Sequence, residues 1–112
     1  MRPLRALGVA GLLLALMSGC DGEVETAGLL TFGFEASSFL PCGHQEAWWV
    51  MGREDLTQRY AALELPPGRS AYARLRGERS DRGHYGHLDA YRYELEVTEV
   101  VELRPAQTAD CQ

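Results

Sequence analysis

Residues 91–104 constrain the fold of this chain more than any other stretch of its sequence. Apolar and polar side chains alternate along it, which is the pattern of a strand with one buried and one exposed face. A strand of this length is unusual, so we expect it to coil strongly or to bend. The alternation fails at Glu99, which falls on the apolar face, and this predicts a bend near that position. The predicted buried residues are Tyr91, Tyr93, Leu95, Val97, Val101 and Leu103.

Three earlier segments also predict strands. Residues 71–77 alternate in the same way, with small side chains on the predicted inner face. The short apolar run over residues 47–51 is typical of a strand covered on both faces or of an edge strand with one exposed Trp. In the first strand, Phe39 falls out of phase, which predicts a bulge near residues 37–38. The predicted inner residues of that strand are Leu30, Phe32, Phe34 and Ala36.

A short helix is predicted between the second and third strands of the mature chain. Glu54 and Asp55 in its first turn would interact favourably with the helix dipole. Pro66 and Pro67 cannot continue a helix and so mark its end. The apolar residues that would share one helical face are Leu56, Tyr60 and Leu63.

The order strand, strand, helix, strand, long strand favours a mainly β fold. Small residues at the predicted bends suit a small, highly curved, antiparallel β-barrel of the OB type, with the helix plugging one end. A flat sheet crossed by one helix is the alternative.

The start of the chain has the organisation of an export signal. Arg2 and Arg5 precede an apolar run over residues 6–17, which is shorter than the ~20 residues that span a bilayer. The sequence Met17-Ser18-Gly19-Cys20 then resembles the bacterial lipobox, with Met where Leu is usual. The resemblance implies cleavage before Cys20 and lipidation of that cysteine. The alternative is an ordinary signal peptide whose cysteine is accidental.

These features predict three regions: a signal peptide over residues 1–19, a lipidated tether over residues 20–28, and the barrel domain over residues 29–112. Two or three acyl chains anchor a protein stably to a membrane, so we expect the domain to lie outside the cytoplasm, anchored in the cell envelope. Asp21 resembles an inner-membrane retention signal, or is one more acid of the tether. The choice between inner and outer membrane stays open.

The two remaining cysteines, Cys42 and Cys111, are predicted to form a disulfide. An exported protein meets an oxidising compartment, where spare thiols usually pair. Two free thiols or a metal site are the alternatives.

Charge and motifs exclude several classes of function. The formal charge is −5, and removal of the signal peptide with its two arginines makes it −7. Nucleic-acid binding needs a basic surface, so we expect no nucleic-acid partner. The sequence contains no GxSxG, P-loop or HExxH motif. We therefore expect neither an enzyme nor a cofactor. Glu99 would be catalytic only if it were buried, and pairing with an Arg or a bulge that exposes it is favoured.

Two sets of residues are candidates for binding. His84, His87 and Asp89 lie in one Gly-rich loop and could ligate Zn or Cu, with His44 as a further ligand if the fold brings it close. The alternative is a loop whose histidines cap turns. The second set could contact a sugar, a peptide or an anionic ligand, and consists of Trp48, Trp49, Arg74 and Arg76.

For the second set, too, a structural interpretation is favoured. One Trp would lie in the core and the other under the disulfide loop. The arginines would pair across strands with Glu78, Glu94 and Glu96.

Residues 33–43, 46–50 and 83–91 resemble segments of small uncharacterised bacterial lipoproteins. The arrangement is more distantly similar to the OB-type domain of envelope-stress and copper-resistance lipoproteins, whose separate CxxC domain this chain lacks. The expected function is a membrane-anchored, non-catalytic binding module of the envelope. Its partners would be the membrane, through the lipid, and an envelope protein or small ligand. A metal-handling lipoprotein for Cu or Zn is the alternative.

Overall fold

The structure, a computed structural model, describes residues 22–52 and 54–112. The predicted signal peptide, Cys20 and Asp21 lie outside the described residues. A 3-10 turn, His87–Asp89, lies between the last two strands. The elements are β1 (Glu23–Gly33), β2 (Ala36–Pro41), β3 (Trp48–Met51), α1 (Glu54–Ala62), β4 (Ala71–Arg79) and β5 (Glu94–Pro105).

The strands close into a barrel in the order β1-β2-β3-β5-β4. This confirms the predicted mainly β, OB-like barrel with one short helix. β3 and β5 run parallel, with Trp49 opposite Glu94, and the other neighbouring strands run antiparallel. A closed ring of five strands cannot be antiparallel at every junction, so closure itself requires one parallel pair.

The chain reverses direction where the alternation pattern predicted one bulged strand. Gly33 pairs with Ala36, and Phe34 and Glu35 form a two-residue turn in which Glu35 has φ 58°. The reversal, and not a bulge, brings Phe39 into phase with the core. Phe34 was predicted to face inward and is instead 92% exposed at the tip of this hairpin.

β1 begins inside the segment predicted as a tether. Residues 23–30 pair with β4 in a continuous antiparallel register, with Glu25 opposite Arg76. Glu23 and Glu25, two of the acids that suggested a solvated linker, belong to this strand. The Glu25 carboxylate lies 2.7 Å from the Arg76 guanidinium on β4. The barrel therefore starts before the predicted boundary at residue 29.

β5 is the predicted long strand, and it bends. Its register against β4 shifts at two places, which makes Thr98 and Val101 bulge residues. Val100 consequently packs against the core. Val101, which was predicted to face inward, is 42% exposed. The long strand thus turns around the barrel as its length required. The phase differs from the prediction between the two bulges, and after the second bulge Leu103 packs against the core as predicted.

Apolar side chains fill the barrel interior. Among the described residues no polar or charged residue is buried. The helix α1 matches the predicted one and contributes Leu56 to the core, while Tyr60 on the next turn packs edge-on against Phe32 at 5.1 Å. Four strands and the helix each contribute a large, fully buried side chain: Leu30, Phe39, Leu75, Leu95 and Leu56.

Candidate functional site

The connection between β4 and β5, residues 80–93, is folded back on itself as a short hairpin. The backbone N–H groups of Gly83 and Tyr85 donate to the carbonyls of Arg92 and Tyr91 at 2.9 and 2.8 Å. The 3-10 turn forms the tip of this β4–β5 loop. These paired backbone groups make the loop an ordered framework for a surface site.

The β4–β5 loop packs on the outer side of β3, over Trp49. The indole ring is half-buried and meets the Tyr91 ring edge-on, with centroids 5.3 Å apart. Gly86 has φ 72° and lies so close to the indole that an added Cβ would overlap the ring atoms. Glycine is needed there both for the backbone conformation and for the close approach. The Trp49–Gly86 contact therefore sets the position of the loop on the barrel.

A shallow depression of about 240 Å³ lies beside this aromatic pair. It is smaller than the roughly 300–1,000 Å³ of pockets that enclose drug-sized ligands. A carboxylate and a guanidinium belong to its wall, next to an aromatic ring. This combination suits one side chain of a peptide or a small polar group. The lining residues are Glu46, Ala47, Ala90, Tyr91 and Arg92.

The tips of two loops meet at one edge of this surface. His87 Nε2 of the β4–β5 loop lies 3.2 Å from the Glu35 carboxylate of the β1–β2 turn. The chain neighbours of these two residues are apolar and exposed: Phe34 is 92% exposed and Leu88 is 84% exposed. We call Phe34 and Leu88 the apolar tips.

The predicted metal ligands do not form a metal site. Within residues 22–52 and 54–112, no three His, Cys, Asp or Glu side chains come together in a group that could hold a metal ion. His87 is engaged by Glu35 instead, and His84 and Asp89 are exposed. His44 packs edge-on against Trp48 at 5.9 Å. The geometry fits the alternative, a structured loop.

Trp48 and Trp49 do not form a shared binding platform. Trp48 is 5% exposed and lies in the core, with ring centroids 6.2 Å from Phe39 and 6.3 Å from Tyr93. Its prediction as a ligand contact is wrong, because successive side chains of a strand point to opposite faces. Trp49 remains at the surface. The β4–β5 loop covers part of its ring, whereas the disulfide loop was predicted to do so.

The predicted arginine surface is separate from Trp49, because β4 and β3 are not neighbours in the barrel. Arg76 forms ion pairs with Glu25 at 2.7 Å and Glu99 at 2.5 Å. The hydrogen bond with Glu25, followed by the charge of Glu99, raises the pKa of Arg76. Arg74 donates to the Tyr72 hydroxyl at 3.4 Å. The two arginines therefore offer no joint anion site with Trp49.

The ion pair with Arg76 shows that Glu99 is not a buried acid. Its side chain is about half exposed and pairs with an arginine, as the favoured interpretation predicted. The partners expected for Arg76 were wrong, since Glu78 and Glu96 lie opposite one another across β4 and β5. The register shift at Thr98 places Glu99, and not Thr98, opposite Arg76.

Cys42 and Cys111 form a disulfide, with Cα atoms 4.9 Å apart. Cys42 follows β2 directly, and its N–H donates to the carbonyl of Ala27 on β1 at 2.8 Å. The bond therefore joins the end of the chain to the body of the barrel.

An ion pair holds the same tail independently. The Arg104 guanidinium donates to both Asp110 carboxylate oxygens, at 3.1 and 2.7 Å, and the Gln107 N–H donates to one of them at 2.6 Å. The bond from Arg104, and then that from Gln107, lowers the pKa of Asp110, and the pair raises the pKa of Arg104. Residues 104–111 are thus fixed by two different interactions.

Three residues of this surface were not predicted from the sequence. Phe34 followed the inward phase of a strand, and Leu88 was not considered for the loop surface. Tyr91 was predicted as a buried residue of the long strand, which begins at Glu94 instead. Gly86 was the signal available in the sequence, because a glycine in a polar loop marks either a turn or a close approach.

No helix of the described ranges, 22–52 and 54–112, is both long and apolar enough to cross a membrane. Comparison with protein-family models, curated proteins and solved structures finds no match for the chain. The candidate site therefore rests on geometry: an ordered loop over Trp49, a small depression beside Tyr91, and the apolar tips at its edge.

Proposed function

We propose that the chain is an exported lipoprotein, of the small OB-like kind that its sequence resembles, whose barrel serves as a non-catalytic binding module at a membrane of the bacterial envelope. The disulfide between Cys42 and Cys111 carries this proposal. Structural disulfides persist in oxidising compartments outside the cytoplasm. The bond leaves Cys20, the lipobox cysteine, as the remaining thiol of the sequence.

The start of β1 supports a position close to the membrane. Asp21 and Gly22 alone separate Cys20 from the first strand residue, Glu23. Three extended residues span about 10 Å. A lipid on Cys20 would therefore hold the barrel directly against the bilayer surface.

The surface of the β4–β5 loop supports binding as the task. Its aromatic pair, Trp49 and Tyr91, offers apolar area, and Glu46 and Arg92 add charges of both signs beside it. Aromatic side chains next to a few polar groups are typical of recognition surfaces. The ligand class that fits is a peptide segment or a small polar molecule of the envelope.

Fractionation of cells that express the full chain tests the anchoring. The wild-type chain should be recovered in the membrane fraction and released by detergent. Cys20→Ser should move the chain out of the membrane fraction, while Cys42→Ser, the matched control, should remain membrane-bound. Recovery of Cys20→Ser in the membrane fraction like the wild type would contradict the proposal.

Capture from envelope extracts tests binding at the loop surface. Tyr91→Ala removes the aromatic wall of the depression, and Thr57→Ala on the exposed side of α1 is the control. We expect a specific ligand or protein to be retained by the wild type and by Thr57→Ala and lost with Tyr91→Ala. Equal retention by both variants would contradict binding at this surface. Turnover abolished by a single change at Glu99 or His87 would contradict the non-catalytic assignment.

A further inference from the structure

The apolar tips are the two most exposed large apolar side chains of the described residues. Isolated exposed apolar residues are common on protein surfaces. Here, however, two of them come from separate loops and flank one contact, between the Glu35 carboxylate and His87 Nε2. That contact ties together two loops that are far apart in the sequence. The two apolar side chains are therefore presented jointly from one place on the barrel.

The backbone at this place is held in an unfavourable conformation. Glu35, Leu88 and Asp89 have φ values of 58°, 58° and 54°. The left-handed region is uncommon for residues other than glycine, and Leu has no side-chain hydrogen bond to compensate for it. Strained residues that the surrounding fold maintains cluster at functional sites. Leu88 is both one of these strained residues and one of the two apolar tips.

We propose that Phe34 and Leu88 insert together into an apolar groove with a basic rim on a second envelope protein. This inference rests on the proposed export of the chain and names the partner class of its binding surface. Aromatic and aliphatic anchors that enter a partner's pocket dominate the binding energy of many interfaces. The basic rim follows from charge complementarity, because an acid follows each tip directly in the sequence: Asp89, and Glu35, which also contacts His87.

Two observations favour a protein over the lipid bilayer as the occupant. Elements that insert into membrane interfaces surround their apolar residues with Lys and Arg, whereas the sequence neighbours of these tips are Gly33, Glu35, His87 and Asp89. Moreover, β1 begins at Glu23, close to the proposed lipid on Cys20, and Phe34 follows the opposite end of this strand. An eleven-residue strand spans roughly 33 Å. The tips are therefore distant from the point at which the chain meets the membrane.

Site-specific photo-crosslinking in living cells tests the proposal on the full-length chain. A photoreactive phenylalanine analogue is placed at position 34, 88 or 101. Val101 is the matched control, because it is an exposed apolar residue at the register shift of β5 beside Arg74 and Leu75 of β4, in neither of the two loops that carry the tips. We expect the same single protein, identified by mass spectrometry, to be crosslinked from positions 34 and 88 but not from position 101.

Titration of that purified protein with the mature chain then measures the contribution of each tip. Phe34→Ser and Leu88→Ser should each weaken binding by about 30-fold or more, as is usual for an anchor residue. Asp89→Arg and added salt should also weaken binding, and Val101→Ser should leave it unchanged. The substituted positions are exposed, so each variant should keep the wild-type midpoint of unfolding.

Four results would overturn the proposal: adducts with lipid, adducts with a second copy of this chain, equal crosslinking from position 101, or no adduct from either tip. Lipid labelling of Cys20 in the same cells separates this inference from the proposed anchoring. A lipidated chain without tip adducts would refute the docking alone. Tip adducts with a partner on an unlipidated chain would refute the anchoring alone.

Discussion

Loss of the disulfide should lower the free energy of unfolding by about 2–5 kcal/mol. The bond joins Cys42 and Cys111 across 69 positions of sequence. In the chain-entropy model, closing a loop of that length restricts the unfolded chain by about 4 kcal/mol. In the folded state the Arg104–Asp110 ion pair still holds the tail. The expected loss therefore comes mainly from the freer unfolded chain, and it is large beside the roughly 5–15 kcal/mol total of a small domain.

Urea unfolding of the mature chain, followed by tryptophan fluorescence and circular dichroism, measures this loss. Cys42→Ser and Cys111→Ser should each reduce the free energy of unfolding by the same amount. The double variant should lose no more than either single variant, because each already removes the whole bond. Reductant added to the wild type should reproduce the effect.

The tail ion pair provides the matched control. Asp110→Asn removes the charge from the tail but leaves the disulfide, so it should cost less than either cysteine variant. Cysteine variants within about 0.5 kcal/mol of the wild type under oxidising conditions would refute the reasoning. A double variant that loses the sum of the single effects would refute it as well, since two independent roles would then be at work.

Three further predictions follow from the packing and the charges. Leu56→Ala should lower the free energy of unfolding in urea by about 2–5 kcal/mol, because it leaves a cavity under α1. A loss below about 1 kcal/mol would contradict the packing of this helix against the barrel core. Gly77→Ala should lower the midpoint of thermal unfolding, because its Cβ would overlap the Glu96 carbonyl on β5, and an unchanged midpoint would contradict this register. Asp110 has a lowered pKa in the folded chain, so its contribution to stability is complete above the ordinary aspartate value of about 3.9 and is lost as the pH falls through the lowered value. The midpoints of wild type and Asp110→Asn should therefore differ at neutral pH and converge in acid; a constant difference would contradict the pairing with Arg104.

The parts of the fold that local periodicity encodes could be predicted from the sequence. The sequence of β4 alternates, and Ala71, Ala73 and Leu75 are fully buried as its pattern required, while Tyr72 on the other face is covered by Arg104. The helix is short, but Leu56 and Tyr60 lie one turn apart and both face the barrel. The pairing of Cys42 with Cys111 was predicted from the expected export and from the number of thiols, without any knowledge of the fold.

The missed features depend on contacts between distant residues. The turn at Phe34 and Glu35 was hidden because apolar residues at every second position continue through it. The strand at Glu25 looked like a solvated linker because its partner, Arg76, could be assigned only from the barrel register. Local periodicity also contains no information on which strands meet when the barrel closes, so the parallel contact between β3 and β5 was not predicted.

The candidate site was only partly visible for the same reason. The glycines of the β4–β5 loop marked it as structured, and its histidines then suggested a metal. The structure shows that His87 is engaged by Glu35 and that Gly86 rests on Trp49. Each of these contacts joins residues tens of positions apart, and neither has a sequence pattern. The apolar tips depend on both contacts.

The central claim is that the chain is exported, anchored through Cys20 and closed by a disulfide. Intact-mass spectrometry of the detergent-extracted protein, alkylated without reduction, tests all three points in one measurement. We expect a mature chain that begins at Cys20, carries two or three acyl chains, and takes up alkylating reagent at neither Cys42 nor Cys111. A chain that retains its first nineteen residues, lacks the lipid, or is alkylated at both cysteines would contradict the account.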